Sequence, residues 1–251
     1  MTQFSANLGF LWQDRPLPDA IRAAKTAGFD AVEVHWPYDV PPENVRTALN
    51  ETGLPLLGLN TLRGNPGENG LSALPGRTAE ARAAIDQAIA YADAVGADAI
   101  HVMAGFAHGP EAQAAYASNL RYACTTTDRT ILIEPLNRHD APGYFLQTTI
   151  QARTIIETLA LPNLKLMFDC YHVGRTEGDV ITRLTDLLPL IGHIQFASVP
   201  DRGPPDQGEL NYTAIFDHIA SLEWNRPLGA EYRPPSDQST GWMSAFCPRC
   251  L

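Results

Sequence analysis

The chain has few cysteines and no surplus of positive charge. Its 251 residues include 4 cysteines, and Lys and Arg together number 18 against 28 Asp and Glu, which gives a formal net charge of −10. A surface this acidic argues against nucleic acid and against anionic membranes as partners. The cysteines do not form a disulfide framework, so a reducing cytoplasm is the expected compartment.

Long apolar runs, a basic N-terminal stretch and low-complexity linkers are also absent. We therefore expect neither a transmembrane segment nor a secretory signal. With 45% hydrophobic residues the chain is long enough for one large core, and we predict a single domain over residues 1–251 with a tail from about residue 235. Cys247-Pro-Arg-Cys250 lacks the second ligand pair that a zinc site needs, and we interpret it as part of this tail.

The chain does contain a regular alternation of two patterns. Short apolar runs of strand type alternate with segments of helical periodicity. The predicted strands are residues 5–11, 31–36, 54–60, 99–104, 130–136, 164–169, 192–197 and 228–232, with helices at 18–27, 43–51, 78–95, 111–126, 148–159, 179–188 and 212–222. Eight strands alternating with helices are typical of a single-domain (β/α)8 TIM barrel in the α/β class. An open, doubly wound sheet is the structural alternative.

Four residues with side-chain oxygens end four consecutive predicted strands. They are Glu134, Asp169, Gln195 and Glu231, and they follow one another at intervals of 35, 26 and 36 residues, about one strand-plus-helix unit each. Active residues of a barrel lie at the carboxyl ends of its strands, so these side chains are expected to converge at the barrel mouth. The alternative is that they are solvated acids at loop edges that never meet.

The predicted cluster needs a counter-charge. Three carboxylates that point at one another repel strongly, and a divalent cation is the natural partner for them. A ligand set made only of oxygens favours Mg²⁺ or Mn²⁺ over Zn²⁺. We therefore predict one divalent metal ion bound by Glu134, Asp169, Gln195 and Glu231.

The same residues suit an isomerisation that moves a proton between adjacent carbons. The α-proton is weakly acidic, so the enediolate needs a cation that chelates both substrate oxygens. One carboxylate removes the proton, and the same group or one opposite returns it. Glu134 and Glu231 lie three strands apart and can flank such a substrate. The candidate substrate-binding residues on nearby loops are His172, Arg202, Arg63 and Arg77.

Other features have two interpretations each. Glu33, near the end of the second strand, either reaches the pocket or is a structural hydrogen-bonding acid. His193 is either a buried, hydrogen-bonded residue or a support for the metal ligands. The Gly- and Asn-rich residues 64–70, between Arg63 and Arg77, form either a lid over the site or a plain connector.

Eight stretches carry a family resemblance that runs from about residue 5 to residue 242 with little interruption. They are Leu74-Pro-Gly-Arg77, His101-Val-Met-Ala-Gly105, Ile133-Glu-Pro-Leu-Asn137, Pro142-Gly-Tyr-Phe-Leu146, Phe168-Asp-Cys-Tyr-His172, Gly192-His-Ile-Gln195, Gly208-Glu-Leu-Asn-Tyr212 and Glu231-Tyr-Arg-Pro234. Together they resemble the hydroxypyruvate isomerase family of the xylose-isomerase-like barrels. The resemblance implies a metal on the four strand-end residues and proton exchange between the substrate and the two glutamates. Related sugar epimerases carry a His at the place of Gln195.

The predicted enzyme is an intramolecular oxidoreductase of the aldose–ketose type, similar to hydroxypyruvate isomerase. It would interconvert hydroxypyruvate and tartronate semialdehyde, and a 2-oxo-tetronate isomerase and a ketose 3-epimerase are alternatives on the same site. A nuclease on this barrel would need a basic DNA groove and a His-rich metal cluster, and the sequence indicates neither. A barrel that only binds sugar acids would not need Glu134 and Glu231. The expected partner is a small hydroxy or oxo acid or a short sugar, and the sequence is compatible with a homo-oligomer.

Overall fold

Eight parallel strands form one sheet in the computed structural model, which describes residues 2–236 and 240–246. The strands are β1 (Phe4–Asn7), β2 (Ala31–Glu33), β3 (Gly58–Asn60), β4 (Ala99–His101), β5 (Thr130–Ile133), β6 (Leu164–Asp169), β7 (Ile191–Phe196) and β8 (Leu228–Ala230). Neighbours follow the order β2-β1-β8-β7-β6-β5-β4-β3. Each strand therefore lies beside the strands that precede and follow it in the chain, with β8 beside β1.

The sheet closes on itself between β2 and β3. Val32 donates its N–H to Pro55 O at 3.0 Å, and Leu57 donates its N–H to Val32 O at 2.8 Å. A sheet whose two ends are joined in this way has no free edge, which excludes the open, doubly wound alternative. The predicted (β/α)8 TIM barrel is confirmed.

Helices follow the strands, and each of the longer helices buries one face. They are α1 (Leu17–Thr26), α2 (Pro42–Thr52), α3 (Thr78–Val95), α4 (Gly109–Thr126), α5 (Thr149–Leu159), α6 (Cys170–Thr176), α7 (Val180–Leu187), α8 (Tyr212–Ser221) and α9 (Met243–Phe246), with a 3-10 turn at Leu188–Leu190. The sequence did not predict α6, because its seven residues follow β6 without a break and are too few to show a helical period. No helix in the described part of the chain combines the length and the apolar character that a membrane span requires.

β1 is shorter than predicted and ends at Asn7. The chain turns there, since Leu11 N donates to Asn7 O at 3.0 Å and Gly9 N donates to Asn7 Oδ1 at 2.9 Å. Two of the apolar residues that suggested a longer strand, Leu8 and Leu11, are buried in this turn instead, with Leu11 only 1% exposed. The consequence is that the Asn7 side chain lies at the carboxyl end of a strand, on the same side of the barrel as the predicted site.

An aromatic cluster packs against the start of β1. The Phe4 ring centroid lies 5.0 Å from Trp242, 5.4 Å from Phe216 and 5.6 Å from Phe196. Trp242 belongs to the segment assigned to a tail, yet it is buried, and its Nε1–H donates to Tyr232 Oη at 2.9 Å. Residues 240–246 are therefore packed on the barrel. Cys247 and Cys250 lie outside the described residues.

Replacing Phe4 with Ala should lower the free energy of unfolding by about 3–5 kcal/mol, because it empties the centre of this aromatic cluster. The matched control is Ile150→Ala on α5, where the side chain is 65% exposed and the change should stay within about 0.5 kcal/mol. Urea denaturation of both variants measures the difference. A Phe4→Ala loss no larger than that of Ile150→Ala would contradict the assigned packing.

Candidate active site

A cavity of about 350 Å³ lies at the carboxyl ends of the strands. Its walls include polar side chains at the carboxyl ends of the strands or in the segments that follow them, among them Arg63, His101, Glu134, His172, Arg202 and Glu231. This is the end of a TIM barrel at which catalytic residues are found, because the loops that can vary without disturbing the core meet there.

The structure brings the three predicted carboxylates together at this cavity. Glu134 directly follows β5, Asp169 is the last residue of β6, and Glu231 directly follows β8. One side-chain atom from each of them, together with one from His172, forms a group whose members all lie within 4.8 Å of one another. All four side chains are buried. Three acids this close in a buried place repel strongly unless a cation stands between them.

Gln195, the fourth predicted ligand, is the register partner of Asp169 between β7 and β6, so their side chains leave the same face of the sheet. The Gln195 amide nitrogen donates to Glu33 Oε2 at 2.7 Å, while its buried Oε1 has no hydrogen-bond partner among the described residues. Gln195 lines a much smaller space of about 10 Å³, which shares His35 and His101 with the large cavity. It therefore lies next to Asp169 but deeper in the barrel than the cavity lining.

The two oxygens of Asp169 have different surroundings. Oδ1 accepts the N–H of Tyr171 at 2.8 Å and so caps the start of α6. Oδ2 is buried, has no hydrogen-bond partner in the described part of the chain and lies 3.6 Å from Arg202 Nη2. Burial raises the pKa of Asp169 to about 7, and the nearby guanidinium opposes that rise. One oxygen thus fixes the side chain and leaves the other facing the cluster.

Glu231 is the most heavily hydrogen-bonded acid of the cluster. Its Oε1 accepts from Asn7 Nδ2 at 3.0 Å and lies 2.9 Å from His35 Nε2, and its Oε2 accepts from Arg202 Nη2 at 2.5 Å. Burial alone would raise the pKa of Glu231, but Arg202 and the hydrogen bond from His35 outweigh it and lower the pKa to about 2. This carboxylate is held ionised and in one orientation.

The Glu134 carboxylate, unlike that of Glu231, lacks close hydrogen bonds from the described residues. Its Oε1 is buried, lies 3.7 Å from His172 Nε2 and has no hydrogen-bond partner within residues 2–236 and 240–246. Its Oε2 lies 3.6 Å from His101 Nδ1. Burial raises the pKa of Glu134 well above its ordinary value, and the charges of Glu231 and Asp169 raise it further. Unpartnered oxygens on Glu134, Asp169 and Gln195 are atoms that a hard divalent cation would satisfy, so the residues present fit such an ion.

His172 fits a different role from the carboxylates. Its Nδ1 accepts the backbone N–H of Asn137 at 3.0 Å. Burial, reinforced by Arg202, lowers the pKa of His172 to about 3, so the ring is neutral and its single proton is on Nε2. A protonated ring nitrogen has no free lone pair for a metal. His172 therefore faces the cluster as a hydrogen-bond donor.

Arg202 lies between the cluster and two aromatic rings. Its guanidinium carbon is 4.6 Å from the centroid of Phe10 and 5.0 Å from that of Tyr171. Burial alone would lower the pKa of Arg202, but the carboxylates of Glu231 and Asp169 outweigh it and raise it. Contact with both rings restrains the guanidinium, whose Nη2 points toward the carboxylates.

The other two predicted arginines have different positions. Arg63 lines the cavity, with its guanidinium carbon 4.7 Å from the centroid of Trp36. Arg77 is absent from the cavity lining, and its guanidinium forms ion pairs with Glu68 and with Glu80. The structure therefore brings Arg63, but not Arg77, to the cavity.

The segment between these arginines is tied to the loop after β4. Gly70 N donates to Arg63 O at 2.8 Å, and Ala73 N donates to Ala104 O at 2.7 Å. A Cβ on Gly70 would lie 2.5 Å from Met103 O, so only glycine allows this close approach. These bonds fix both ends of residues 64–70, and the action of the segment as a lid stays a prediction.

Comparison with known proteins gives the family. The model of the family described as xylose isomerase-like TIM barrel matches residues 21–246. The chain belongs to this family. The xylose isomerase-like barrels are enzymes, and the prediction that the chain is an enzyme of the isomerase type is confirmed.

Full-length relatives agree with this membership. A 2-oxo-tetronate isomerase of Cupriavidus necator is 40% identical over 260 residues, which cover 99% of this chain and 100% of that protein. A hydroxypyruvate isomerase of Escherichia coli is 35% identical over 98% of this chain and 100% of its own length. A crystal structure from Brucella melitensis named AP endonuclease, family 2, has a TM-score of 0.93 and 32% identity, covering 98% of this chain and 99% of its own. The expected resemblance to the hydroxypyruvate isomerase family is confirmed.

Two residues of this xylose isomerase-like site were not singled out from the sequence. Asn7 holds Glu231 and Asn137 orients His172. Asn7 follows the same strand-end rule as the carboxylates, but the apolar residues after it hid the end of β1. Asn137 contacts His172 Nδ1 with its backbone N–H at 3.0 Å and with its side-chain nitrogen at 2.7 Å, and the sequence does not show that these two residues, 35 positions apart, meet.

We predict that His172 is found as the Nε2–H tautomer, because the Asn137 N–H occupies Nδ1. Long-range ¹H–¹⁵N spectra of the metal-free protein distinguish the two ring nitrogens, and the signal that disappears in His172→Gln assigns them. A proton found on Nδ1 would contradict this assignment and would make His172 a potential metal ligand.

Proposed function

We propose that this barrel is a metal-dependent isomerase of short sugar acids, with hydroxypyruvate and tartronate semialdehyde as its substrate and product. The observation that carries the proposal is the buried group of Glu134, Asp169 and Glu231 at the cavity. Two full-length relatives named as isomerases of 2-oxo-tetronate and of hydroxypyruvate support the substrate class.

The proposed metal ligands are Glu134, Asp169, Gln195 and Glu231. The unpartnered buried oxygens of the first three support this set, and Glu231 belongs to the same close group. All four donors are oxygen atoms, which favours Mg²⁺ or Mn²⁺. A divalent ion bound by these residues would supply positive charge that stabilises the negative charge developing on the substrate during proton transfer.

The two glutamates are proposed to move the proton. Converting hydroxypyruvate into tartronate semialdehyde removes a proton from the terminal carbon and places one on the adjacent carbon, while the carbonyl and the hydroxyl exchange places. Glu231 is held in one orientation by Asn7, His35 and Arg202. Glu134 has an unpartnered oxygen and comes from a strand three places away in the barrel. The two carboxylates can therefore face a bound substrate from opposite sides, one as base and one as acid.

Binding of the substrate is proposed to use His172, Arg202 and Arg63. The Nε2–H of His172 is a neutral donor suited to a carbonyl or hydroxyl oxygen. Among the described residues, no carboxylate forms an ion pair with Arg63, whereas Arg202 already pairs with Glu231. The unpaired guanidinium of Arg63 is therefore the better candidate for the substrate carboxylate, and Arg77 is left out of the proposal.

The close alternative is a four-carbon 2-oxo acid such as 2-oxo-tetronate. It carries the same carboxylate and the same adjacent oxygens, so the residues named above would bind it in the same way. A ketose 3-epimerase would instead act on a neutral sugar, which offers no carboxylate to Arg63. The cytoplasmic location and any self-association stay predictions.

We predict that Glu134→Gln and Glu231→Gln each lose about 10²–10⁴-fold or more in kcat on hydroxypyruvate, because each removes a proton-transfer group and a charged metal ligand. The measurement is the initial rate of tartronate semialdehyde formation at saturating substrate and metal. Glu157→Gln on the surface of α5, whose side chain is 56% exposed, is the matched control and should keep full activity.

Either glutamate variant that retains about half of the wild-type kcat would show that its carboxylate does not transfer the proton. Circular dichroism and thermal unfolding of the metal-free proteins verify that the variants are folded.

We predict that Arg63→Met lowers kcat/KM for hydroxypyruvate by about 10- to 150-fold, the loss expected for a charge-assisted contact of about 1.5–3 kcal/mol. The matched control is Arg77→Met, which removes a charge beyond the other end of the 64–70 segment, away from the cavity. It should leave kcat/KM nearly unchanged. Wild-type enzyme should prefer hydroxypyruvate and 2-oxo-tetronate over fructose and psicose. Faster turnover of the neutral ketoses, or equal effects of the two arginine variants, would exclude recognition of an acid by Arg63.

A further inference from the structure

A buried acid outside the proposed ligand set lies beside Gln195. Glu33, at the end of β2, is only 4% exposed. Its Oε2 accepts from Gln195 Nε2 at 2.7 Å, and His193 Nε2 lies 3.1 Å from the same oxygen and 3.2 Å from Oε1. No described Lys or Arg forms an ion pair with Glu33, so these two neighbours are the polar side chains that its carboxylate contacts.

The C=O and NH₂ groups of an amide side chain differ in their hydrogen bonding but hardly in shape. One end donates hydrogen bonds and the other accepts them, and the two ends are nearly equal in size. An ionised carboxylate can only accept, so Glu33 binds the nitrogen end and would repel the oxygen end. We propose that Glu33 is a positioning residue that fixes the Gln195 amide with Oε1 toward the other proposed metal ligands. This inference rests on the metal site of the proposed function.

The backbone of β8 leaves room for this arrangement. Gly229 is the register partner of Gln195 between β8 and β7. A Cβ at position 229 would lie 2.3 Å from Glu33 Oε1, 2.8 Å from Gln195 Cγ and 2.9 Å from His193 Nε2. Any side chain there would displace all three groups, so the glycine lets the carboxylate reach the amide. The contact is thus part of the packing of the barrel rather than a chance approach of two flexible chains.

The orientation has a direct chemical consequence. Gln195 Oε1 is buried and unpartnered, on the register partner of Asp169. If the amide turned over, the cluster would face an N–H₂ group, which cannot bind a cation. A carboxylate ligand has two equivalent oxygens and needs no such control, whereas an amide ligand does. Glu33, which is not among the residues that line the large cavity, would therefore act on metal affinity through Gln195.

The first measurement is the affinity of metal-free protein for Mn²⁺ by isothermal titration calorimetry, with wild type compared with Glu33→Gln. The amide introduced by Glu33→Gln can either donate or accept, so the amide of Gln195 loses its fixed orientation. Loss of a group that orients a metal ligand typically weakens binding by about 10- to 100-fold, and we expect a loss in this range. An unchanged dissociation constant in Glu33→Gln overturns the role of Glu33.

The second measurement repeats Glu33→Gln in a Gln195→Glu background. A carboxylate at 195 offers an oxygen in either orientation, so removing the charge of Glu33 should there cost little or should strengthen Mn²⁺ binding. Loss by the same factor in both backgrounds would mean that Glu33 acts only as a distant negative charge, which overturns the proposal. Thermal unfolding without metal identifies any variant that is merely unfolded.

A third measurement separates this inference from the metal site itself. In ¹⁵N-glutamine-labelled, metal-free protein, the Gln195 amide protons should exchange with water at least about tenfold faster in Glu33→Gln than in wild type. Equal exchange overturns the orienting contact even if Mn²⁺ binds. Protected amide protons in a wild-type protein that binds no Mn²⁺ would instead overturn the metal site and leave the contact in place.

Discussion

The mutual repulsion of three buried carboxylates is the constraint on which the rest of this site depends. Glu134, Asp169 and Glu231 come from three strands, and their side chains converge within 4.8 Å. Charges so placed are unfavourable in a barrel interior unless other groups compensate them. The compensation is uneven, because the Glu231 carboxylate contacts Asn7, His35 and Arg202, whereas no residue that the structure describes donates a hydrogen bond to Glu134 Oε1. This asymmetry separates one acid that is held ionised from another that needs a cation.

The barrel produces this convergence through strand register and not through local sequence. Asp169 and Gln195 are register partners, and so are Gln195 and Gly229. Parallel neighbours with matched registers point their side chains to the same face at the same height, so residues far apart in the chain meet. Asn7 and Glu231 are 224 residues apart and still form a direct hydrogen bond. The small Gly229 between larger neighbours lets Glu33 reach across the interior.

Much of the fold and part of the site could be predicted from the sequence. The alternation of strand and helix patterns predicted the barrel, and the strand-end rule selected Glu134, Asp169, Gln195 and Glu231. The features that could not be predicted depend on contacts between residues far apart in the chain. One is the hydrogen bond from Asn137 N–H to His172 Nδ1, and the other is the packing of the Arg202 guanidinium on the rings of Phe10 and Tyr171. Arg77 is different, because its partner Glu80 lies three residues away at the start of α3 and the pair could have been anticipated.

The choice of an amide at position 195 is consistent with the charge of the whole cluster. Under the proposed function, the carboxylates of Glu134, Asp169 and Glu231 carry three negative charges, and Arg202 with one divalent ion carries three positive ones. Glu33 is a further buried carboxylate in contact with Gln195, so a carboxylate at 195 would place one negative charge directly beside another. A neutral amide oxygen can bind the ion without adding charge. However, an amide that turns over presents its NH₂ group, which cannot bind a cation, in place of its oxygen. The buried Glu33 would meet this requirement, because its contact with the amide nitrogen of Gln195 leaves the amide oxygen to face the ion.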